Sequence, residues 1–308
     1  MKAIVTGGAG FIGSHLAEGL IEKGVEVTVI DDLSTGKKEN IPLKAKFHHC
    51  SITERKIARV IEKEKPDYIF HLAAQMNVRK SVESPQFDAK VNILGSLNIL
   101  EAVKDIGLNK FLFASSGGTV YGEQTEFPAA EKHSLNPLCP YGVAKLAVEN
   151  YLYFYKQNYN MDYISLRLAN IYGPRQDPYG EAGVIAIFAT KLLTGEQAVI
   201  NGDGKQTRDY VFVKDVVNAF LTAMEINGSD YFNIGTGIET DVNELFRIIN
   251  RLTSGNQEEV HGPAKKGEQI RSVLSHDKIK GVCAWEPKVK LNEGLEQTVE
   301  WFRKKIKG

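Results

Sequence analysis

Tyr141 and Lys145 stand four residues apart in Tyr141-Gly-Val-Ala-Lys145, a spacing that puts a phenol and an ammonium on one face of a helix, one turn apart. A phenol titrates at ~10 in water, and a nearby positive charge stabilises its anion, so the pair is suited to general base chemistry. The same spacing recurs at Tyr210-Val-Phe-Val-Lys214, in a run that reads as a strand. There the two side chains would lie roughly 13 Å apart. Tyr141 is the expected base, and Lys145 the group that makes it acidic.

A second signature opens the chain, Lys2-Ala-Ile-Val-Thr6-Gly7-Gly-Ala-Gly10-Phe-Ile-Gly13, an apolar strand running into glycines and a helix. Gly7 and Gly10 let a pyrophosphate approach the amide groups of the helix N-terminus, whose partial positive charge favours an anion, and Gly13 allows close packing of helix on strand. The next strand ends at Asp31, eighteen residues beyond Gly13, where an acid can accept from an adenosine ribose. Asp31 and Asp32 would repel a 2′-phosphate and no arginine is near, so the cofactor expected is NAD, whose nicotinamidium form would further favour a Tyr141 phenolate. The competing reading is a glycine turn that holds nothing, or a different nucleotide.

Elements must bring these groups together. Strand-like runs at 3–6, 26–30, 46–49, 67–72, 110–115 and 162–168 alternate with helical patterns at 12–22, 53–64, 85–104 and 141–158. Such alternation predicts an α/β fold, a doubly wound parallel Rossmann sheet with a smaller C-terminal substrate-binding lobe. Residues 1–170 form the expected dinucleotide domain. A strand-helix-strand unit within 210–235 is expected to return to it, leaving 171–209, with glycine loops at 180–183 and 202–204, and 236–308 for the smaller lobe. Reactive groups belong beyond the carboxyl ends of the strands, at 73–81, 115–121 and 170–175.

The 308 residues hold 38 Lys plus Arg and 38 Asp plus Glu, so no bulk field attracts nucleic acid or an anionic membrane. Apolar runs are strand length, and a first strand starting at Lys2 leaves no room for a signal peptide, so a cytoplasmic protein is expected. Cys50, Cys139 and Cys283 lack disulfide or metal spacing, as does His48-His49-Cys50, and no metal is expected.

Over essentially its whole length the chain resembles the extended short-chain dehydrogenase/reductases, and among them the UDP-galactose (UDP-glucose) 4-epimerases. The resemblance rests on the glycine turn, Ile30-Asp-Asp-Leu33, His71-Leu-Ala-Ala74, Ser115-Ser-Gly-Gly-Thr-Val-Tyr-Gly122, Tyr141 with Lys145, Arg167-Leu-Ala-Asn170 and Arg208-Asp-Tyr-Val-Phe-Val-Lys-Asp215. It implies an NAD site lined by Gly7, Gly10, Phe11, Ile12, Gly13, Asp31, Asp32, Leu33, Ser34, Thr35, Gly36, Ser51, Ile52, Leu72, Ala73, Ala74, Asn92, Ser115, Tyr141, Lys145 and Ala169. It further implies that Asn170, Val184, Arg208 and Arg271 meet a nucleotide sugar, the arginines forming a fork for its diphosphate.

Two positions depart from the pattern. The usual catalytic hydroxyl, third in a Ser-Ser-Ser-like run, is Gly117 here. In an extended segment Thr119 would project to the same side as residue 117, which makes Thr119 the candidate replacement. Lys265 stands where the family usually has a diphosphate arginine, keeping the charge without the bidentate fork. The carboxylates of the resembling dehydratases and decarboxylases are absent at Gly118-Thr119. What remains is oxidation at sugar C4, rotation of the keto sugar, and hydride return to the other face: 4-epimerisation of a UDP-hexose with tightly held NAD. Ser272, small where a bulky gate often stands, opens the alternative of UDP-N-acetylhexosamine or UDP-hexuronate substrates. Another nucleotide-sugar reaction and a non-catalytic NAD sensor are the remaining alternatives. Apolar surplus on the helices at 85–104 and 141–158, including Val91, Leu94, Leu97, Leu146, Tyr151 and Phe154, accompanies the homodimer that the resemblance implies.

Overall fold

The computed structural model describes residues 1–179, 183–265 and 269–307. β1 (Lys2–Thr6) passes through the glycine turn into α1 (Phe11–Glu22) and β2 (Glu26–Asp31). β3 (Lys46–His49), α2 (Lys56–Glu64) and β4 (Tyr68–His71) follow. Next come α3 (Val78–Glu83), α4 (Pro85–Ala89), a π-helical turn (Lys90–Leu94) and α5 (Gly95–Val103). β5 (Lys110–Ser116) runs into the short α6 (Gly117–Val120), then α7 (Pro140–Tyr159) and β6 (Tyr163–Leu168). Beyond these lie β7 (Asn170–Tyr172), α8 (Val184–Thr194), β8 (Val199–Asn201), β9 (Thr207–Arg208) and β10 (Tyr210–Phe212). α9 (Val213–Ala223), β11 (Asp230–Ile234), β12 (Thr240–Asp241), α10 (Val242–Leu252) and β13 (Val260–Gly262) continue the chain. β14 (Arg271–Ser272), α11 (Asp277–Cys283) and α12 (Leu291–Lys307) complete it.

Among the described residues, seven strands form one parallel sheet in the order β11-β6-β5-β4-β1-β2-β3. These strands are apolar on both faces because helices cover both. Val5, Val29, Phe70, Leu112, Leu166 and Phe232 pack toward α1 and α9, while Ile4, Ile69, Phe111 and Phe113 pack toward α2, α5 and α7. A separate core of Phe188, Phe246, Leu295 and Phe302 joins α8, α10 and α12 in the second lobe.

Within 210–235, α9 lies against α1, and β11 adds an edge strand beside β6. β10 departs from the expected strand-helix-strand return: it pairs with β7 in its own two-stranded sheet. The run at 210–214 is also not one strand, since Val213 already begins α9, and Lys214 bonds Gln297. Of the glycine loop expected at 180–183, residues 180–182 lie outside the described residues.

Candidate active site

The glycine turn places three chain segments in contact that no side chain would tolerate. A Cβ on Gly7, whose φ is +71°, would lie 2.7 Å from the Ala73 nitrogen, and one on Gly13 would lie 2.2 Å from the Gly7 oxygen. Gly10 is the N-cap of α1 and the first helical turn holds no acid, so its amide groups and dipole face outward for an anion.

Asp31 ends β2 beside this turn and organises it. Its Oδ2 accepts from the Ala9 N–H (3.0 Å) and its Oδ1 from the Leu33 N–H (2.8 Å). Burial pushes its carboxyl above the usual range, opposed by those two donors. Asp32 accepts from the Ser34 N–H (3.0 Å), and Gly36 passes close enough that a Cβ there would lie 2.8 Å from Asp31 Oδ1. The segment from Asp31 through Thr35 to Gly36 thus wraps one carboxylate and leaves Asp32, Ser34 and Thr35 exposed. Phe11 and Ile12 begin α1, Ser51 and Ile52 follow β3, Leu72, Ala73 and Ala74 follow β4, and Ala169 follows β6, all near the carboxyl ends of strands.

Asn92 plays a part that spacing alone does not reveal. Its Oδ1 accepts from Gln75 N–H, while its Nδ2 donates to Gln75 O and Asp88 Oδ1. Its amide therefore clamps the loop after β4 instead of pointing at a dinucleotide, and the π-helical turn at Lys90–Leu94 presents it there.

Ser115 Oγ is buried with no hydrogen-bond partner among the described residues. An orphaned hydroxyl, a glycine cradle and an open helix N-terminus together fit a bound dinucleotide.

α7 starts at Pro140, and Tyr141 N–H donates to Ser81 Oγ (3.3 Å). Lys145 is buried, its Nζ donating to Ala114 O (2.8 Å) and lying 4.7 Å from the Phe113 ring centre and 5.6 Å from that of Tyr141. Loss of solvation pushes its ammonium down to about 8, against the pull of Asp88 and Glu149. Phenol and ammonium share one helix face, as their spacing requires.

Thr119 does not reach its place by strand alternation. β5 ends at Ser116 and the chain turns helical at Gly117, so the alternation of an extended strand stops before reaching Thr119. Thr119 Oγ1 instead turns back toward Ser116 O (3.5 Å), and its carbonyl packs on Gly142, which keeps the residue beside Tyr141 by a different route. Ser116, which the alternation turned away, adjoins open space: a Cβ on Gly118 would meet only Ser116 Oγ, at 4.0 Å.

A small sheet of β12, β9 and β14 carries the second lobe's polar groups. Register pairs Arg208 with Ser272 and Thr240, and Thr207 with Arg271. Paired neighbours share a face and successive residues alternate, so Arg208 and Ser272 lie on one side and Thr207 and Arg271 on the other. Arg271 is bidentate on Glu239, which also accepts from Thr207, and stacks 3.6 Å over Phe127. The fork expected of Arg208 and Arg271 therefore does not form, because two-residue strands set their faces apart. Asn170 opens β7, Val184 opens α8, and Lys265 lies exposed between β13 and β14. Gly267 and Glu268, before Arg271, fall outside the described residues.

Sequence reasoning also passed over a buried ion pair. Arg167 Nε and Nη2 donate to Glu149, four residues beyond Lys145 on α7. The helical spacing carried that signal.

Comparison with known proteins shows the family. The model of the NAD dependent epimerase/dehydratase family matches residues 3–235, and the chain belongs to that family. A UDP-glucose 4-epimerase of Mycolicibacterium smegmatis is 43% identical over 311 residues, covering 99% of each chain. The crystal structure of UDP-glucose 4-epimerase with UDP-glucose from Thermotoga maritima is 50% identical, with a TM-score of 0.98 over 99% of this chain and 100% of that one. That of the Thermus thermophilus UDP-glucose 4-epimerase in complex with NAD is 41% identical, with a TM-score of 0.93 over 98% and 99%. The cofactor and the family expected from the motifs are those found.

Proposed function

We propose that the protein is a UDP-glucose 4-epimerase that interconverts UDP-galactose and UDP-glucose with NAD held throughout the cycle. The observation that carries this is the placement of Tyr141 one turn above the buried Lys145, at the carboxyl end of the sheet that also bears the glycine turn. The chemistry that bound NAD would supply is removal of the C4 hydride and its return. Gly7, Gly10 and Gly13 give the pyrophosphate access to α1, Asp31 fixes the ribose loop, and Lys145 holds positive charge beside the phenol.

Tyr141 takes the C4 hydroxyl proton as the carbonyl forms and gives it back when the hydride arrives on the other face. Ser116 and Thr119 are the hydroxyls that flank the turn at Gly117, and Thr119 remains the candidate replacement for the missing serine. Gly118 and Thr119 supply no carboxylate to expel a C6 hydroxyl, which favours epimerisation over elimination. Arg208 and Lys265 supply charge for the diphosphate, and the small Ser272 on the Arg208 face leaves room at the sugar for a larger C2 substituent. A loose grip on the sugar beside a firm grip on UDP permits rotation between the two hydride transfers.

The homodimer is part of this reading. Tyr151 and Phe154 on α7 are 39% and 47% exposed, and Phe87 of α4 and Leu94 of the π-helical turn are exposed as well, apolar surface suited to a second copy. No helix among the described residues is long and apolar enough to cross a membrane.

Proton NMR of the purified protein with UDP-galactose, and no added NAD, tests the assignment. Anomeric signals of UDP-glucose are the expected result. No conversion, even after NAD is supplied, would defeat it.

A further inference from the structure

Glu149 and Arg167 form a charged pair in the core, with side chains 7% and 1% exposed. An apolar pair of similar volume is often no less stable than a buried ion pair, so stability gives little reason for this one. Its position does. Tyr141, Lys145 and Glu149 follow one another at four-residue intervals along one face of α7.

We propose that Glu149, held by Arg167, is the positioning residue that maintains the charge on Lys145; the proposal builds on the Tyr141 and Lys145 roles given above. Glu149 accepts from Arg167 Nε and Nη2 and from the Ser165 hydroxyl (3.0 Å), a donor set suited to a carboxylate. Arg167 is pinned in turn, its Nη1 donating to Tyr121 Oη (3.0 Å), which donates to Asn233 Oδ1 (2.6 Å). Burial pushes the Tyr121 phenol up to about 12, so this link stays neutral. Asn233 Nδ2 then donates to Ala129 O, and Ala129 forms an isolated parallel bridge with Leu274.

Asp88 pulls on Lys145 ahead of Glu149, and other groups face it as well. From α4 comes Asp88, with one oxygen taken by Gln75 and Asn92, the other bare, and a carboxyl raised by burial. From β4 comes His71, bonded to Thr6 and Ser96 and kept neutral by burial, its value pushed down to about 3. From β5 come the Phe113 ring and the Ala114 carbonyl, and α7 itself adds Tyr141. Among these, only Glu149 has a cation bound to it, and that cation lies on Arg167, outside the dinucleotide site.

The signs follow from charge alone. Removing Glu149 and Arg167 together takes away one of the two carboxylates that pull on Lys145 and lowers the midpoint at which Lys145 loses its proton, by about one pH unit. Glu149→Gln alone leaves the arginine bare and lowers it further. Arg167→Met alone leaves the carboxylate bare and raises it. The double variant Glu149→Gln with Arg167→Met leaves no unpaired charge and is the one to make first.

The test is a pH titration of protein carrying ¹³Cε-lysine, followed by NMR, with the Lys145 signal identified by its loss in Lys145→Arg. A lowered midpoint in the double variant, with the alkaline limb of kcat moving down alongside it, is the expected result. An unmoved midpoint, with only the melting temperature changed, would overturn the proposal. Because the NMR midpoint does not require turnover, a wild-type protein that fails to epimerise would refute the function and still leave this proposal decided.

Discussion

A Cβ on Gly117 would lie 2.3 Å from Leu274 Cδ1 and 3.2 Å from Arg167 O. The space where relatives by resemblance carry a catalytic serine is filled here from the second lobe, so the missing hydroxyl and the buried leucine are two sides of one packing solution. Restoring the serine alone therefore overpacks the site. Gly117→Ser should destabilise by about 1–3 kcal/mol and reduce turnover. Gly117→Ser with Leu274→Ala should recover activity relative to the single variant, as read by thermal melts and NMR assay. Equal activity in the two would show that Leu274 does not exclude the serine.

Tyr141→Phe should lower kcat by about 10²- to 10⁴-fold while the bound dinucleotide, read by its absorbance, stays. Loss of cofactor from the variant would mean that Tyr141 acts in binding.

Lys145 fixes the sign of two pH effects. Its charge is present below about pH 8 and lost above it, so kcat should fall through an alkaline limb near 8. Its folded value lies below the 10.5 of an ordinary lysine, so the unfolded chain binds more protons between these values and stability from this group rises with pH across that window. The Tm of wild type relative to Lys145→Met should accordingly increase from pH 8 to 10 while activity declines. A difference in Tm that stays flat with pH would contradict the assigned burial cost.

Arg208→Ala should weaken UDP binding by about 10- to 100-fold, the loss of a charge-assisted hydrogen bond. Arg271→Met removes the Glu239 pair and the Phe127 stack on the opposite face, and should leave UDP affinity within a few-fold. Calorimetry on both variants checks the assignment, and equal losses would mean that the two arginines converge when ligand binds.

Tyr151→Glu with Phe154→Glu should halve the mass seen by light scattering. An unchanged mass would place the dimer contact elsewhere.

Local spacing made part of this site legible. Gly7, Gly10 and Gly13, Asp31 at a strand end, and Tyr141 with Lys145 each encode their geometry within a few residues. Thr119 was misread because the alternation argument needed one more extended residue than β5 has, and Gly117 starts a helical turn. Arg208 and Arg271 were misread because their faces depend on the register of two-residue strands more than sixty positions apart in the chain. Asn92 enters the dinucleotide set through the resemblance alone, and a resemblance by position cannot tell a residue that lines a pocket from one that braces the loop lining it.

The edge position of β11 bears on how this protein can be divided. It reaches β6 only after the chain has built β7 to β10 and α8, and α9 covers α1 on the same return passage. A fragment ending at residue 170 would keep every glycine of the turn, Tyr141 and Lys145, yet expose β6 as a bare apolar edge, a template for association with other chains. The catalytic half is thus contiguous in its chemistry but not in its architecture, and the two lobes are bound to a shared fate during synthesis, proteolysis and evolution.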